Sequence, residues 1–102
     1  MHRLLRKDGF NHVIGAKAFV CKSFKVFYVS NDKPNARLGI VVSKRTLPGA
    51  VQRNRFKRMV REVFRQHSIK TKQIDLVVVG RRSNTQFYQH DDLKVLFNRI
   101  VN

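Results

Sequence analysis

Six basic side chains recur within residues 53–65 at spacings that place them side by side on a helix. At about 100° per residue, the apolar residues of this segment fall within an arc of roughly 140°, and the basic residues occupy the adjoining face. A surface helix without a ligand would normally mix Glu and Lys in i,i+4 pairs, whereas here Glu62 is the single acid. The pattern predicts a helix that binds phosphates through Arg53, Arg55, Lys57, Arg58, Arg61 and Arg65.

The start of this helix carries the same chemical signal. Arg53 and Arg55 lie in or near the first turn with no Asp or Glu beside them, although a helix N-terminus favours anions. Each such mismatch costs about 0.3–1 kcal/mol in the isolated chain. A phosphate docked there would offset the cost, because free backbone N–H groups and arginines would converge on it. Asn54, between the two arginines, can hydrogen-bond a sugar, a base edge or the preceding turn.

The acidic residues do not form a catalytic or metal-binding set. Hydrolysis by side chains would need paired carboxylates or a histidine constellation. The two adjacent acids, Asp91 and Asp92, fit a helix N-terminus better than a metal pair. The sequence therefore predicts no catalytic residue and no metal site in the chain itself, since its six acids are scattered among turns and element starts: Asp8, Asp32, Glu62, Asp75, Asp91 and Asp92.

The histidines and the cysteine also indicate no metal site and no catalytic residue. The four histidines (His2, His12, His67 and His90) lack the spacing of metal ligands. Cys21 is the single cysteine, so no internal disulfide can form and a reducing cytosol is the expected compartment. A small, buried apolar role on a strand is favoured for Cys21 over that of a nucleophile.

Composition narrows the class of partner. The chain has 102 residues, 42% of them hydrophobic, and 22 Lys and Arg against six Asp and Glu give a formal charge of +16. A compact domain with this excess repels itself unless a polyanion neutralises it. No stretch approaches the ~18 apolar residues of a membrane span, and the first ten residues lack a secretory signal. We therefore expect a cytoplasmic protein whose partner is nucleic acid rather than a membrane.

The elements that position these residues can be read from periodicity and turn signals. They predict one α+β domain over residues 1–102, an α/β sandwich with a central sheet and packed helices and with residues 1–7 as a flexible basic terminus. A strand–helix–strand crossover over residues 37–80 would be right-handed by default. The expected elements are a short helix at 8–15, a strand at 18–30 that could be split in two, a turn at 31–35, a strand at 37–44, a helix at 50–67, a buried strand at 74–80 and a helix at 91–101.

Two motifs in this order resemble a known family. Ser43-Lys44-Arg45 is followed by Ala50-Val51-Gln52-Arg53-Asn54-Arg55-Phe56-Lys57-Arg58 and then by Arg61. Together they resemble the signature of the bacterial ribonuclease P protein subunit, which has a Ser-Lys-Lys strand end and an Arg-Asn-Arg-x-Lys-Arg helix. The resemblance extends to a basic opening before Phe10, an aromatic strand at Phe24–Tyr28, and Arg81-Arg82 after an apolar strand.

This resemblance implies an α-β-β-β-α-β-α fold with an unusual left-handed crossover. It also implies an accessory subunit of an endoribonuclease that removes the 5′ leader of precursor tRNA, in which a large RNA with bound Mg²⁺ is the catalyst and the protein alone is inactive. Partners would be ribonuclease P RNA and precursor tRNA, with no small-molecule substrate. The residues that would bind the catalytic RNA are Arg53, Asn54, Arg55, Lys57, Arg58 and Arg61, together with Arg65, Lys44 and Arg45.

The resemblance further implies a cleft for the leader between the first helix and the sheet, formed by Phe10, Ile14, Lys25 and Phe27. Aromatic rings can stack on bases while a lysine follows the backbone, a sequence-tolerant way to bind single strands. The alternative is that Phe10 and Phe27 are ordinary core residues. At the level of function, the alternative is a generic basic RNA-binding or ribosomal protein of similar fold. A helix-turn-helix is excluded because strands flank the basic helix.

Overall fold

The computed structural model describes Val13, residues 17–81 and residues 88–101. Apart from Val13, the predicted first helix lies outside the described residues, as do the basic N-terminal residues. The described elements, in chain order, are β1 (Lys17–Val20), β2 (Phe24–Ser30), β3 (Arg37–Val41), α1 (Ala50–Gln66), a 3₁₀ turn (Ser68–Thr71), β4 (Ile74–Gly80) and α2 (His90–Val101).

The predicted strand at 18–30 is divided into β1 and β2, which pair antiparallel. The break occurs at the polar residues Lys22 and Ser23, where the Cys21 N–H donates to the Phe24 carbonyl at 2.8 Å. Arg81 fixes this turn from the end of β4, because its N–H donates to the Ser23 carbonyl at 2.8 Å and its Nη1 to the Cys21 carbonyl at 2.7 Å. Cys21 is therefore half-buried in a turn, and the expectation of a buried strand position was wrong.

The described strands form one sheet in the order β1-β2-β4-β3, which places β4 at its centre. β4 runs antiparallel to β2 and parallel to β3. Its apolar run is covered on both faces, with Leu76 and Val78 in the main core and Val77 beside Val13 on the opposite face. The central strand predicted at 74–80 is thus confirmed, and so is the strand–helix–strand crossover. Its left hand stays a prediction from the resemblance.

The main core lies between the sheet and the two helices. The apolar arc predicted for α1 is confirmed, since the buried residues of α1 are Phe56, Met59, Val60, Val63 and Phe64. The core face of α2 is formed by Leu93, Leu96 and Phe97. The α+β class is confirmed by this layered arrangement. No helix within the described residues is long and apolar enough to span a bilayer.

A buried ion pair joins the two parallel strands. The Asp75 side chain on β4 is 1% exposed and accepts hydrogen bonds from Arg37 Nε at 2.8 Å and Arg37 Nη2 at 2.7 Å. Asn31 Nδ2 donates to the same carboxylate at 2.7 Å. Because Arg37 and Asp75 are register partners, the pair holds the start of β3 against β4. Asp75 therefore has a structural role that its place in the sequence did not reveal.

Replacing Asp75 with asparagine should lower the free energy of unfolding by about 3 kcal/mol, because the Arg37 charge would lose its carboxylate in a largely buried site. The measurement is urea unfolding, in which the free energies of unfolding of variant and wild type are compared after checking that their m-values are equal. Asp32→Asn is the matched control, since the Asp32 side chain is 94% exposed and its loss should change stability by less than about 0.5 kcal/mol. Equal effects of the two substitutions would show that the buried pair is not stabilising.

Candidate nucleic-acid interface

The basic face of α1 is accessible along the whole helix. Arg55, Arg58 and Arg65 are exposed, while Lys57 and Arg61 are half-buried on the side of this face nearer Phe64. Asn54 is also exposed and lies near the midline of this face, one turn before Arg58. Glu62 reaches Arg65 at 3.8 Å, but both side chains are largely exposed, so this pair removes little of the positive potential.

Arg53 differs from the other arginines. Its side chain is half-buried, and Nη1 donates to the carbonyls of Leu47 and Pro48, each at 2.8 Å. On the helix it shares an angular position with the buried Val60 and Phe64, so its side chain folds back toward the preceding loop. The sequence reasoning placed Arg53 on the basic face, whereas the structure gives it a positioning role at the entry to α1. RNA contact by Arg53 stays a prediction.

The N-terminus of α1 carries an unneutralised positive potential. Its N-cap, Gly49, has no side chain to accept from the first-turn N–H groups, and the first turn of α1 contains no acid. Arg55 follows in the second turn of α1 and is exposed. A phosphate placed at this end would meet free backbone N–H groups. Its contact with Arg55 stays a prediction, and Arg53, which the sequence analysis also placed there, is bonded to the preceding loop.

A capping substitution at Gly49 separates stability from RNA binding. Gly49→Ser should raise the free energy of unfolding by a few tenths of a kcal/mol, and Gly49→Asp by about 0.5–1 kcal/mol, since the carboxylate also meets the helix dipole. A Cβ at this position would come within 3.1 Å of Gln52 Oε1, the movable end of a side chain.

The two variants should differ in their RNA affinity. The new carboxylate would repel a phosphate, so Gly49→Asp should weaken RNA binding about two- to fivefold, while Gly49→Ser leaves it nearly unchanged. Thermal unfolding and a filter-binding titration measure the two effects. Unchanged RNA affinity in Gly49→Asp would place the phosphate elsewhere.

The strand-end motif forms an ordered turn between β3 and α1. Ser43 Oγ accepts from the Thr46 N–H at 3.1 Å, and the Ser43 carbonyl accepts from the Leu47 N–H at 3.0 Å. Lys44 and Arg45 lie at the tip of this turn with exposed side chains. Because Leu47 is buried and bonded to Arg53, the turn is tied to the start of the basic helix.

Two of the predicted leader-binding residues, Lys25 and Phe27, lie on the face of the sheet opposite the main core. Lys25 and Phe27 share one face of β2, and Lys25 Nζ is 4.8 Å from the centroid of the Phe27 ring. Phe27 packs against the cluster of Val13 and Val77 but is only half-buried. Phe27 thus covers part of the sheet and still leaves part of its ring accessible to a ligand. Phe10 and Ile14 lie outside the described residues.

The remaining polar candidates have structural partners. Asp91 and Asp92 occupy the first turn of α2, which confirms the helix-start interpretation. His67 Nδ1 accepts from the Ile69 N–H at 3.0 Å, and Nε2 lies 2.7 Å from Asn98 Oδ1, so this ring links the end of α1 to α2. Across residues 17–81 and 88–101 with Val13, no three His, Cys, Asp or Glu side chains are grouped to hold a metal ion.

Sequence reasoning missed Tyr88, which closes the core beside α1. Its ring centroid is 4.9 Å from that of Phe56 and 5.5 Å from that of Phe24, in edge-on contacts. The hydroxyl donates to the Arg81 carbonyl at 2.8 Å, and burial raises the pKa of Tyr88 above its usual value. No periodicity marks this position, because Tyr88 precedes α2 and meets the other rings only in the fold.

Comparison with known proteins decides the family of a chain with this fold and this basic helix. Residues 1–101 match the family model described as ribonuclease P. The chain belongs to the ribonuclease P protein family. The resemblance stated from the two motifs is therefore confirmed.

Relatives within the ribonuclease P family agree in sequence and in fold. A ribonuclease P protein component from Pseudoalteromonas atlantica is 44% identical over 80 residues, which are 78% of this chain and 67% of that one. The RNase P protein of Thermotoga maritima superposes with a TM-score of 0.78 at 27% identity, covering 98% of this chain and 94% of that one. A mutant Staphylococcus aureus RNase P protein, described as defective in mRNA degradation activity, superposes with a TM-score of 0.84 at 26% identity, covering 98% and 88% of the two chains.

Proposed function

We propose that this chain acts as the protein component of ribonuclease P in 5′ processing of tRNA, and that it binds the RNA subunit through α1. The observation that carries this proposal is the exposed basic face of α1, which has one acid among its cations and begins at a helix end without a counter-charge. Arg55, Arg58, Arg61 and Arg65 would contact phosphates directly. Lys44, Arg45 and Lys57 would extend the contact toward β3, and Asn54 would meet a sugar or base edge.

In this proposal the RNA subunit is the catalyst and holds the Mg²⁺ ions. The described residues do not fit a protein-held magnesium site, because Mg²⁺ prefers carboxylate oxygens and no three His, Cys, Asp or Glu side chains are grouped among them. The buried carboxylate of Asp75 is already bonded to Arg37 and Asn31. The chain contributes charge instead. A formal charge of +16 placed between two polyanions lowers their mutual repulsion, so that catalyst and substrate associate at physiological salt.

The precursor tRNA would meet the opposite face of the sheet. There a base of the single-stranded leader would stack on the available part of the Phe27 ring, while Lys25 would neutralise the adjacent phosphate. This contact reads no sequence, because every base has a ring face. One side of the domain would thus hold the RNA subunit through α1 and the other would hold the leader.

Reconstitution tests the proposal. A bacterial ribonuclease P RNA and labelled precursor tRNA are combined at low Mg²⁺, with and without this protein. We expect cleavage at the mature 5′ end that requires both components, and none with the protein alone. Cleavage by the pure protein would overturn the division of roles. Tight binding without stimulation of several such RNAs would favour a generic or ribosomal RNA-binding protein.

A further inference from the structure

A small cleft opens beside the first half of α1, at the edge of its basic face. Its volume is about 280 Å³, and it lies between α1, the loop that precedes it and the start of α2. The walls are apolar and come from three separate segments: Leu47, Phe56, Met59 and Tyr88. The rim is polar and exposed, and consists of Gln52, Arg55 and His90.

The walls are held in place before any ligand arrives. Phe56 and Tyr88 meet edge to face with centroids 4.9 Å apart, and the Tyr88 hydroxyl is anchored to the Arg81 carbonyl. Gly80 sits directly behind Phe56, where an added Cβ would come within 2.9 Å of the ring. Phe56 is packed against Gly80 and Tyr88 is held by a hydrogen bond, so these contacts favour a preformed apolar wall, which lowers the entropic cost of binding.

The rim adds charge and hydrogen-bonding capacity. The Gln52 amide and the His90 imidazole can each donate and accept, and Arg55 supplies a permanent cation at the mouth. Arg55 also belongs to the basic face of α1, so the cleft adjoins the proposed RNA-binding surface. A ligand that suits the whole site is flat and apolar on its faces, polar along its edge and attached to an anion.

We propose that this cleft receives one unpaired nucleobase of the RNA partner, with the attached phosphate on Arg55. The inference rests on the proposed function, since it assumes that α1 binds RNA. A volume just below the ~300–1,000 Å³ of sites for drug-sized ligands is large enough for one base. Unstacked bases of loops and bulges are the parts of folded RNA that proteins read most specifically, by stacking and edge hydrogen bonds. The cleft therefore gives the chain a way to recognise a feature of its RNA beyond charge.

The chain supplies its own reporter for this site. It has two methionines, Met1 at the start of the chain and Met59 in the cleft wall. With ¹³C-labelled methionine methyl groups, the full-length protein gives one signal from the cleft and one internal reference. The probes are the four nucleoside 5′-monophosphates and, as the control without a base, ribose 5-phosphate, each titrated into the millimolar range.

We expect at least one nucleotide to shift the Met59 methyl signal in a saturable way, because the ring current of a base would act on a methyl group in contact with it. Ribose 5-phosphate should leave the signal in place, and the Met1 signal should not follow either titration. A Met59 response to ribose 5-phosphate as large as that to the nucleotides would show phosphate binding at Arg55 only and overturn the proposal. No response to any nucleotide would overturn it as well.

A pair of tryptophan variants tests the cleft with intact RNA. Gln52→Trp fills the mouth, and Gln66→Trp makes the same change at an exposed position about 21 Å further along α1. Loss of one stacked base should weaken binding of a ribonuclease P RNA by Gln52→Trp about five- to hundredfold, and Gln66→Trp should remain near wild type. Equal affinities of the two variants would contradict the inference.

These outcomes are separable from those of the reconstitution. If the chain restores cleavage but shows no base-dependent Met59 shift, the proposed function stands and the proposal that the cleft binds a base fails. A chain that shows the shift but stimulates no ribonuclease P RNA retains the cleft as a base-binding site and loses the proposed function.

Discussion

Replacing Arg58 and Arg61 together with glutamine should weaken binding of the ribonuclease P RNA about 30-fold at 0.15 M salt. Each lost phosphate contact reduces the steepness of the plot of log K against log salt concentration by about 0.9. At 0.15 M salt, the loss of two such contacts lowers the binding constant about 30-fold. The two side chains lie three residues apart on the basic face of α1, so one stretch of backbone can meet both. Titrations at several salt concentrations measure affinity and slope together.

The control removes the same charge elsewhere. Lys33→Gln with Lys94→Gln also deletes two cations, but these lie in the β2–β3 turn and on α2, where both side chains are about half exposed. This double variant should keep its slope within about half a unit of wild type, because its cations lie away from the basic face of α1. If both double variants lose affinity equally, the domain binds RNA through its overall charge and α1 is not a specific interface.

Arg53 is unsuited to this test despite its place in the motif. Its Nη1 holds the Leu47 and Pro48 carbonyls, so Arg53→Ala would loosen the loop before α1 in addition to removing a charge. A weaker complex with that variant would not separate an RNA contact from a displaced helix start. Arg58 and Arg61 have no comparable hydrogen bond to the backbone among the described residues.

Phe27→Leu should weaken binding of precursor tRNA to the reconstituted enzyme about five- to hundredfold and leave binding of mature tRNA unchanged. Leucine keeps an apolar side chain against Val13 and Val77, so the sheet remains covered, but it removes the ring on which a leader base would stack. The measurement is the dissociation constant of substrates with and without a leader. The complex between protein and catalytic RNA should keep its affinity.

Tyr28→Leu is the matched control for Phe27→Leu. Tyr28 is the next residue of β2, is also half-buried, and points to the opposite face, where its ring stacks on Phe19 at 5.7 Å. A general loosening of β2 would affect both variants alike. Two results would show that the leader does not contact this face. Either Tyr28→Leu lowers the affinity for precursor tRNA as much as Phe27→Leu does, or Phe27→Leu lowers the affinity for mature tRNA as much as that for precursor tRNA.

The parts of the fold that depend on local pattern were predictable from sequence. The apolar stripe of α1 repeats at helical spacing from Phe56 to Phe64, about two and a half turns, and the structure buries those residues and no others of that helix. The seven-residue run of β4 lacks polar alternation because both of its faces are covered, and its predicted bounds match the observed ones. The exposed cations of α1 follow from the same periodicity.

The parts that depend on distant partners were not predictable in this way. Asp75 resembled any acid near the start of an element, because its partner Arg37 lies 38 residues away in the chain. Arg53 was grouped with Arg58 although its helical angle lies between those of Val60 and Phe64, so periodicity could have set it apart. Its hydrogen bonds to the Leu47 and Pro48 carbonyls depend on the path of the preceding loop and were not predictable. The cleft proposed to bind a base draws its walls from Leu47, Phe56, Met59 and Tyr88, which no spacing rule connects.

The central position of β4 also fixes the order of events on the ribosome. β1 and β2 can pair as soon as they emerge, but β3 has no described neighbour other than β4, which is made 33 residues after β3 ends. The whole of α1 therefore leaves the exit tunnel before β4, the strand that completes the sheet on which α1 packs. At 5–20 residues per second, the 14 residues from His67 to Gly80 take about one to three seconds. For that interval the nascent chain presents a dense run of cations beside ribosomal RNA without a folded domain behind it.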